Sequence, residues 1–418
     1  MICARRIATL TALLAHLLPA VASAQSNLDF QIFFEDACIN GGAVLDLNNR
    51  CADIEANATA PGALSGPSEV SMTPSQGLAM NQSAMSRALA TVKETQERLE
   101  IRREGIDTAW NSEPVSSLGD VSRLGVFLNG RWEHLDRDST SSEKGWEGDE
   151  GGVQFGADYL LSGAAFVGAI VTLDWADFDF DGDPSDGMFS APGNAGNSES
   201  DSYGLTLFGS YNFSEEFWAD LHVGGGYSDY SFQRRASLQD DLRVQQTTFT
   251  ATSDSKGGEF ETGIGVGYDE SWGGFSGGGY ARVNYVWTTV EGYQESDSSG
   301  LQMRVNGLNQ ESVVSVLGIR GDYAISTPIG VLVPQARVEY EHEFMRDRQT
   351  LSARFVQDTA DNVFRTRGDS PDRNYGNAGV SISLVMEGGW TPFVDYEALF
   401  EHSFYERHRL TFGIRKEL

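Results

Sequence analysis

The sequence lacks long apolar runs and is short of basic residues and cysteine. Beyond its N-terminus no run of about 18 apolar residues occurs, which excludes a helical membrane protein. Thirty Lys and Arg stand against 60 Asp and Glu, and the resulting net charge of −30 excludes nucleic-acid binding as a main function. A chain of 418 residues can therefore form a few soluble domains or one large membrane barrel.

The N-terminus has the order of a secretory signal peptide. Arg5 and Arg6 precede an apolar stretch over residues 7–21, and Ala22-Ser23-Ala24 offers a cleavage site of small residues. We predict that residues 1–24 are a signal peptide and that the mature chain begins at Gln25. A lone N-terminal membrane anchor is the weaker alternative, because the apolar segment is short.

Removal of the signal peptide also removes one of the three cysteines and leaves Cys38 and Cys51. An exported chain folds in an oxidising compartment, so we predict a disulfide between these two residues, with two free thiols as the alternative.

The region before residue 111 divides into two parts by composition. Residues 25–76 show no sustained hydrophobic period and end in a Pro-, Gly- and Ser-rich stretch, which is typical of a short exported segment followed by a linker. Residues 77–110 are predicted to form a polar helix, because Met85, Leu89, Val92 and Leu99 recur at helical spacing. A coiled-coil helix or a linker helix would show the same narrow apolar stripe.

From Val121 to Leu418 the pattern has a period of two, as in β-strands. After Trp175 the apolar positions change parity, from which we predict a bulge. The predicted strands cover residues 123–135, 151–162, 164–176, 202–213, 217–230, 258–270, 275–290, 312–325, 331–345, 377–387, 391–402 and 408–418.

The connections between these strands alternate between short turns and long loops. This alternation, an even number of strands and one apolar face on most strands are typical of an outer-membrane barrel. We therefore predict an all-β fold over residues 111–418, a transmembrane antiparallel barrel of twelve strands.

The stretch PQARVEYEHEF, residues 334–344, illustrates the two faces of one strand. Ala336, Val338 and Tyr340 are predicted to face lipid, because charges in that position are costly. Inward-facing polar residues are predicted at Arg131, Glu261, Arg282, Arg320, Arg337, Glu339, Glu341, Glu343 and Arg415.

A signal peptide, a short exported segment, a polar helix and a twelve-stranded C-terminal barrel resemble the translocator domain of type V autotransporters. The stretches that carry the resemblance are PQARVEYEHEF, RNYGNAGVSISL from Arg373 and the closing RLTFGIRKEL. The resemblance implies that the helix threads the lumen. On it, five cations could pair with inward carboxylates such as Glu261, Glu339 and Glu341. These cations are Arg87, Lys93, Arg98, Arg102 and Arg103.

Members of this family commonly end in an aromatic residue that the barrel-assembly machinery recognises, whereas this chain ends in Leu418. Phe412 and Ile414 keep the alternation, so we predict an insertion signal at Phe412, Ile414 and Leu418. The family also often carries a large β-helical passenger, for which the exported segment here is too short. Cleavage inside the barrel between two asparagines is not expected, because the helix offers only Asn81-Gln82.

Catalytic and metal-binding patterns are weak. No Ser–His–acid set stands out. The acidic stretch from Asp177 to Asp183 begins like a calcium loop, but Met188 replaces the required acid. Arg367-Gly368-Asp369 matches the integrin-binding tripeptide, which we interpret as a loop turn, and Gly368-Asp369-Ser370 resembles a GDSL esterase block that lacks its leucine.

We therefore predict no enzyme, no cofactor and no metal. The predicted function is an autotransporter-type barrel in the bacterial outer membrane that exports or displays a short N-terminal segment at the cell surface or holds it in the lumen. The alternative is a non-secreting channel or adhesion barrel that its own helix plugs. Expected partners are outer-membrane lipid, the barrel-assembly machinery and periplasmic chaperones, and the barrel is expected to be a monomer without nucleic-acid contacts.

Overall fold

The computed structural model describes residues 20–40, 42–111, 123–345 and 347–418. Residues 1–19 of the predicted signal peptide lie outside this part of the chain. The first four elements are helices: α1 (Ala20–Ile39), α2 (Leu45–Asn57), α3 (Gly66–Met72) and α4 (Gln76–Asn111). None of the helices in the described residues is long and apolar enough to span a membrane.

Helix α3 occupies the stretch whose composition predicted a linker. Ser65 is its N-cap, with the side-chain oxygen accepting a hydrogen bond from the Ser68 amide at 3.3 Å. Pro67 stands in the first turn, where it needs no hydrogen-bond partner for its nitrogen, and Glu69 also lies there. Serine, glycine and proline, which are common in loops, therefore start a helix here.

Twelve long antiparallel strands form a closed barrel. Consecutive strands along the chain pair with one another, and pairing of β1 with β17 and of β10 with β12 completes the ring. The predicted twelve-stranded barrel is thereby confirmed. Its strands are β1 (Leu124–Arg137), β2 (Trp146–Ser162), β3 (Ala165–Asp181), β4 (Asn194–Asn212), β5 (Phe217–Gln239), β6 (Gln246–Trp272), β7 (Phe275–Val290), β10 (Leu308–Tyr323), β12 (Gly330–Glu343), β15 (Asn374–Val385), β16 (Trp390–Phe400) and β17 (Tyr405–Glu417).

The remaining five strands are short. One of them, β11 (Ile325–Thr327), extends the turn before β12. The other four form a separate sheet in the order β14-β13-β9-β8, built from the two long loops that flank β10 and β12. These strands are β8 (Tyr293–Gln294), β9 (Met303–Val305), β13 (Thr350–Phe355) and β14 (Phe364–Arg367).

The outward side of the barrel carries an apolar belt between two sets of aromatic residues. At the end with short turns, Tyr211, Phe217, Tyr268, Trp272 and Trp390 are exposed. At the end with long loops, the corresponding exposed residues are Trp132, Trp175, Tyr203, Tyr227 and Phe260. Aromatic residues in this arrangement mark the two interfaces of a membrane. Because outer-membrane barrels carry their longer loops on the outside, the end with long loops is the outer end.

No bulge lies between Trp175 and Phe178, where the apolar parity changes; pairing of β3 with β4 shifts only farther out, between Asp179 and Asp181. Strand β3 keeps regular pairing with β2 from Trp146↔Phe180 down to Leu160↔Phe166. Phe178 and Phe180 are buried on the inward face, whereas Trp175 is exposed on the outward face. The apolar pattern changes parity because the strand leaves the lipid: above the membrane its outward side turns polar, and its inward side packs on a hydrophobic core.

That core lies at the outer end of the barrel and is shared by several elements. Helices α1 to α3, the start of α4, the outer parts of the barrel strands and the four-stranded sheet all contribute buried apolar side chains to it. Strands β5 and β6 reach farther outward than the sequence predicted, to Gln239 and from Gln246, and pair over their whole length. Their extra length forms one wall of this outer core.

Candidate functional site

Helix α4 runs through the barrel from the outer end to the end with short turns. Near its start the Gln76 side chain donates a hydrogen bond to the Ala195 carbonyl, at the outer end of β4. Near its other end Arg102 Nη1 lies 2.7 Å from Glu417 Oε1, at the close of the last strand. Strand β1 then starts at Leu124 on this same side. The described residues before α4, 20–40 and 42–75, accordingly lie beyond the outer end of the barrel.

One lysine of the helix is held by three carboxylates of the wall. Lys93 Nζ lies 2.6 Å from Glu341 and 3.3 Å from Glu339 on β12, and 3.3 Å from Glu397 on β16. Glu339 also accepts a hydrogen bond from the Tyr280 hydroxyl at 2.7 Å. A buried charge needs partners of this kind, because water is largely excluded around it.

Acidic residues of the helix pair in the opposite sense, with arginines of the wall. Glu94 lies 3.5 Å from Arg131, and Glu97 lies 2.8 Å from Arg337 and 3.1 Å from Arg409. Two further arginines, Arg320 and Arg282, form ion pairs with Glu100. Cations of the helix thus pair with carboxylates of the wall, and acids of the helix pair with arginines of the wall. Together these ion pairs fix the rotation of the helix as well as its depth.

Four other cations of the helix contact the wall in different ways. Arg102 pairs with Asp158 at 3.0 Å, and Arg103 pairs with Asp220 at 3.2 Å and lies over the Trp218 ring. The Arg98 guanidinium lies between two aromatic rings, 4.5 Å from the Phe127 centroid and 4.7 Å from the Phe393 centroid. Finally, Arg87 donates hydrogen bonds to Ser200, Ser228 and Tyr230.

The inward-facing residues named from the sequence are all buried in the structure: seven of the nine form ion pairs, and the eighth, Glu343, accepts a hydrogen bond from a serine. Arg415 pairs with Asp158 at 2.6 Å, Arg337 also contacts Asp395, and Glu343 accepts a hydrogen bond from Ser312. Their full set is Arg131, Glu261, Arg282, Arg320, Arg337, Glu339, Glu341, Glu343 and Arg415.

The ninth, Glu261, accepts a hydrogen bond from Thr206 at 2.6 Å rather than from a cation of the helix. Of the cation–carboxylate pairs named from the sequence, the structure has those of Lys93 with Glu339 and Glu341. The acids Asp158, Asp220 and Glu397 were not named from the sequence, although each stands at an inward position of its strand. Strand parity alone could have found them.

Outside the barrel, α1 and α2 form a disulfide-linked helical hairpin. Cys38 and Cys51 are bonded, with their Cα atoms 5.4 Å apart, which confirms the predicted disulfide. The apolar side of α1 packs on the four-stranded sheet: the Phe33 ring stacks on Phe355 at 4.8 Å, and the Phe30 ring meets Phe364 edge-on at 5.4 Å. We call residues 25–75, with this hairpin and α3, the outer cap.

Polar contacts also join the outer cap to the barrel loops. The Val44 amide donates to the Gln357 carbonyl at 3.0 Å, and the Leu47 amide donates to the Gln357 side chain at 2.9 Å. Below α3, the fully buried Arg234 of β5 forms a two-bond ion pair with Glu295, at 2.6 and 2.7 Å. Burial and the nearby Glu35 raise the pKa of Glu69 on α3 to about 7.

The Arg367-Gly368-Asp369 tripeptide is engaged within the molecule. Asp369 accepts from Arg137 at 2.6 Å and from the Thr140 hydroxyl at 2.7 Å, and its amide donates to Glu143. A receptor that reads the aspartate would have to break these contacts. The loop-turn interpretation therefore fits this geometry better than a binding motif.

The histidine at the outer rim is not arranged as a general base. The ring of His402 lies 3.6 Å from Asp372, and its Nδ1 accepts from the amides of Phe404 and Tyr405. Burial lowers the pKa of His402 to about 4. In the part of the chain that the structure describes, no group of three or more His, Cys, Asp or Glu could hold a metal ion.

The insertion-signal residues lie at the outward face of the last strand. Phe412 and Ile414 are exposed on the apolar belt, and the Leu418 amide donates to the Leu124 carbonyl at 2.9 Å. The role of these three residues in assembly stays a prediction.

A closed antiparallel barrel with an apolar belt, a charged lumen and its own helix inside defines an outer-membrane translocator. The chain belongs to the family of the autotransporter beta-domain, whose model matches residues 126–397. The translocator domain of the autotransporter NalP from Neisseria meningitidis superimposes with a TM-score of 0.57 at 12% identity, over 80% of this chain and 98% of that domain.

Esterase EstA of Pseudomonas aeruginosa and its counterpart in Pseudomonas putida are each 23% identical to this chain over 290 residues. The alignment takes in 65% of this chain and 40% of each esterase. The chain therefore spans well under half the length of these relatives.

Proposed function

We propose that the chain is a display barrel, which carries residues 25–76 to the cell surface and keeps them there as the folded outer cap. In this proposal residues 1–24 are the signal peptide, residues 77–110 the lumen helix and residues 111–418 the translocator barrel. The helix links the cap covalently to the barrel, and the ion pairs along the lumen hold it in place.

The observation that carries the proposal is the hydrophobic core that the cap shares with the barrel. Phe30, Phe33 and Phe34 are almost fully buried among residues of the loops and of the strand extensions. Burial of such a side chain contributes about 1.5–3 kcal/mol, so three of them hold the hairpin firmly. A segment meant for release has no need of a core that it shares with its exporter.

We further propose that this chain acts without catalysis. The support is the chemistry of the outer rim: the Nδ1 atom of His402 is occupied by backbone amides, and Asp369 is paired with Arg137. Neither group is free to serve a nucleophile in this arrangement. The name esterase belongs to relatives that are more than twice as long as the matched region.

The proposed partners are outer-membrane lipid, the barrel-assembly machinery and periplasmic chaperones, with the barrel as a monomer. The apolar belt supports the first, because it would be exposed to water without lipid. The outward alternation of Phe412 and Ile414 near the C-terminus supports recognition during assembly.

Insertion of a specific protease site after Ala60, in the exposed connection between α2 and α3, tests display. On intact cells we expect cleavage, with the α1–α2 hairpin remaining cell-bound in buffer and leaving only in denaturant. A matched control has the same site after Pro328, in a short turn, and should be cut only after lysis. Protection of the Ala60 site on intact cells would favour the plugged channel, and a hairpin found in the medium without added protease would favour release.

A further inference from the structure

A groove lies on the outward face of the barrel, within the apolar belt. It has a volume of about 790 Å³ and lies over β7, β10, β12, β15 and β16. Its sides are formed by half-exposed apolar residues that point away from the lumen. These are Leu317, Ile319, Val338, Tyr340 and Phe400.

The floor of the groove is backbone, because a glycine stands where a side chain would fill it. Gly279 pairs with Ile319, and a Cβ placed on Gly279 would have only the Gly318 carbonyl within 4 Å, at 3.7 Å. On the other side the Phe400 ring covers Gly376 and forms that wall of the groove. A glycine in a strand can mark a place where another group approaches the backbone, and the open space over Gly279 leaves room for one.

The groove has a polar end and an apolar end, in the order that an outer-leaflet lipid requires. At its outer end Asn374 Oδ1 accepts from the Tyr340 hydroxyl at 2.6 Å and lies 2.7 Å from His342 Nδ1. From His342 to Val338 the strand runs four residues, about 14 Å at roughly 3.4 Å per residue, which a strand tilt of about 35–45° reduces to about 10–11 Å of depth. This depth lies within one leaflet, which is half of a hydrocarbon core of about 30 Å.

We propose that this groove binds one acyl chain of an outer-leaflet lipid, with the polar headgroup at the Asn374 end. The chain packs between the aliphatic sides, and its far end lies over the bare backbone at Gly279, which pairs with Tyr268 toward the short-turn end. A second copy of the barrel is the other occupant that the membrane could supply. That copy would have to present a continuous ridge of side chains to fill the groove. The inference does not rest on display of the outer cap.

Native mass spectrometry of barrels extracted in mild detergent tests the proposal. Gly279→Leu fills the floor. The matched control is Gly258→Leu, at another outward-facing position with no atom closer than 3.6 Å to the new Cβ. We expect the parent and the control to retain one lipid, and retention by Gly279→Leu to fall by about tenfold or more, because several methylene groups lose their burial.

Heat-modifiable migration checks that each variant is folded. If Gly279→Leu does not fold, Leu317→Ala lowers one side of the groove and should reduce retention in the same assay. Re-addition of dimyristoyl phosphatidylcholine to delipidated parent barrels should restore one bound lipid. Equal retention in all folded variants would overturn the proposal, and so would a dimer of the parent that only Gly279→Leu abolishes.

Discussion

Lys93 of the lumen helix and Glu341 of β12 face each other with 2.6 Å between Nζ and Oε1. The pair is surrounded by Glu339 and Glu397, so a single cation balances part of a carboxylate cluster that belongs to the wall. This arrangement accounts for the alternating charges of β12: the strand shows apolar residues to lipid and acids to a helix rather than to open water.

Replacement of Lys93 with Met should destabilise the barrel. Removal of one partner from a buried ion pair typically costs about 3–5 kcal/mol, because the other charge stays buried without compensation. The expected result is a lower midpoint temperature in heat-modifiable gel migration. Lys256→Met is the matched control, because Lys256 lies on the outward face over the Tyr227 ring and should leave the midpoint unchanged.

The two faces of β12 can be separated by adjacent substitutions. Val338→Arg places a charge in the apolar belt, at a cost of about 2–4 kcal/mol near the membrane centre, and should reduce the amount of barrel in the outer membrane. Glu339→Ala should reduce the yield less, because Lys93 keeps two other carboxylates and only the Tyr280 hydroxyl loses its acceptor inside the barrel. The measurement is outer-membrane yield, and similar losses for the two variants would contradict the assignment of faces.

One charged substitution on α1 should weaken the packing of the outer cap on the barrel loops. Phe33 is 4% exposed and stacks on Phe355, whereas its neighbour Ile32 is 48% exposed. Phe33→Asp should cost about 3–5 kcal/mol of cap stability, because it removes a buried ring. Limited proteolysis of intact cells should then degrade the hairpin much faster than in the parent. Ile32→Asp is the control and should retain the parent's resistance; rapid degradation of both would show that the cap has no specific docking face.

The barrel was predictable from the sequence because each strand has one lipid-facing side, and lipid tolerates little but apolar residues there. The outer cap was not, because the apolar stripe of α1, Phe30, Phe33, Phe34 and Ala37, is only about two turns long and packs on a sheet made from distant loops. Phe178 shows the same limit. Its inward direction was misread as a bulge because the partner that buries it lies outside the membrane.

The charges inside the lumen were predictable in position but only partly in partner. Strand parity gives the direction of a side chain, so residues such as Arg131 and Glu339 could be named in advance. Parity does not give the rotation of α4, which decides that Glu97 meets Arg337 and that Arg98 meets two aromatic rings. That rotation is set by all pairs together, and no local pattern records it.

The C-terminal residue offers a test of the insertion signal. Leu418→Phe restores the aromatic end that the family commonly has, on a strand whose Phe412 and Ile414 already alternate outward. We expect assembly efficiency to stay equal or to rise, as measured by the folded fraction after a pulse of synthesis. A sharp drop for Leu418→Phe, with Leu418→Ile unaffected as the aliphatic control, would count against a role of this residue in recognition.

The last prediction concerns the lumen. Because α4 fills the barrel and is tied to it by pairs such as Arg103 with Asp220 and Glu97 with Arg409, the parent should conduct ions poorly. A barrel of this size lies between side-chain-filled eight-stranded forms and open porins of about sixteen strands, so loss of one helix leaves a water-filled path.

Deletion of Met80–Arg103 removes most of α4, and planar-bilayer recordings should show a clear rise in single-channel conductance. The purified parent and the Lys93→Met variant serve as controls for an intact and a weakened plug. The weakened plug is expected to open only briefly, since the other ion pairs remain. Conductance that is the same with and without the helix would mean that α4 leaves the lumen when the barrel is in a membrane.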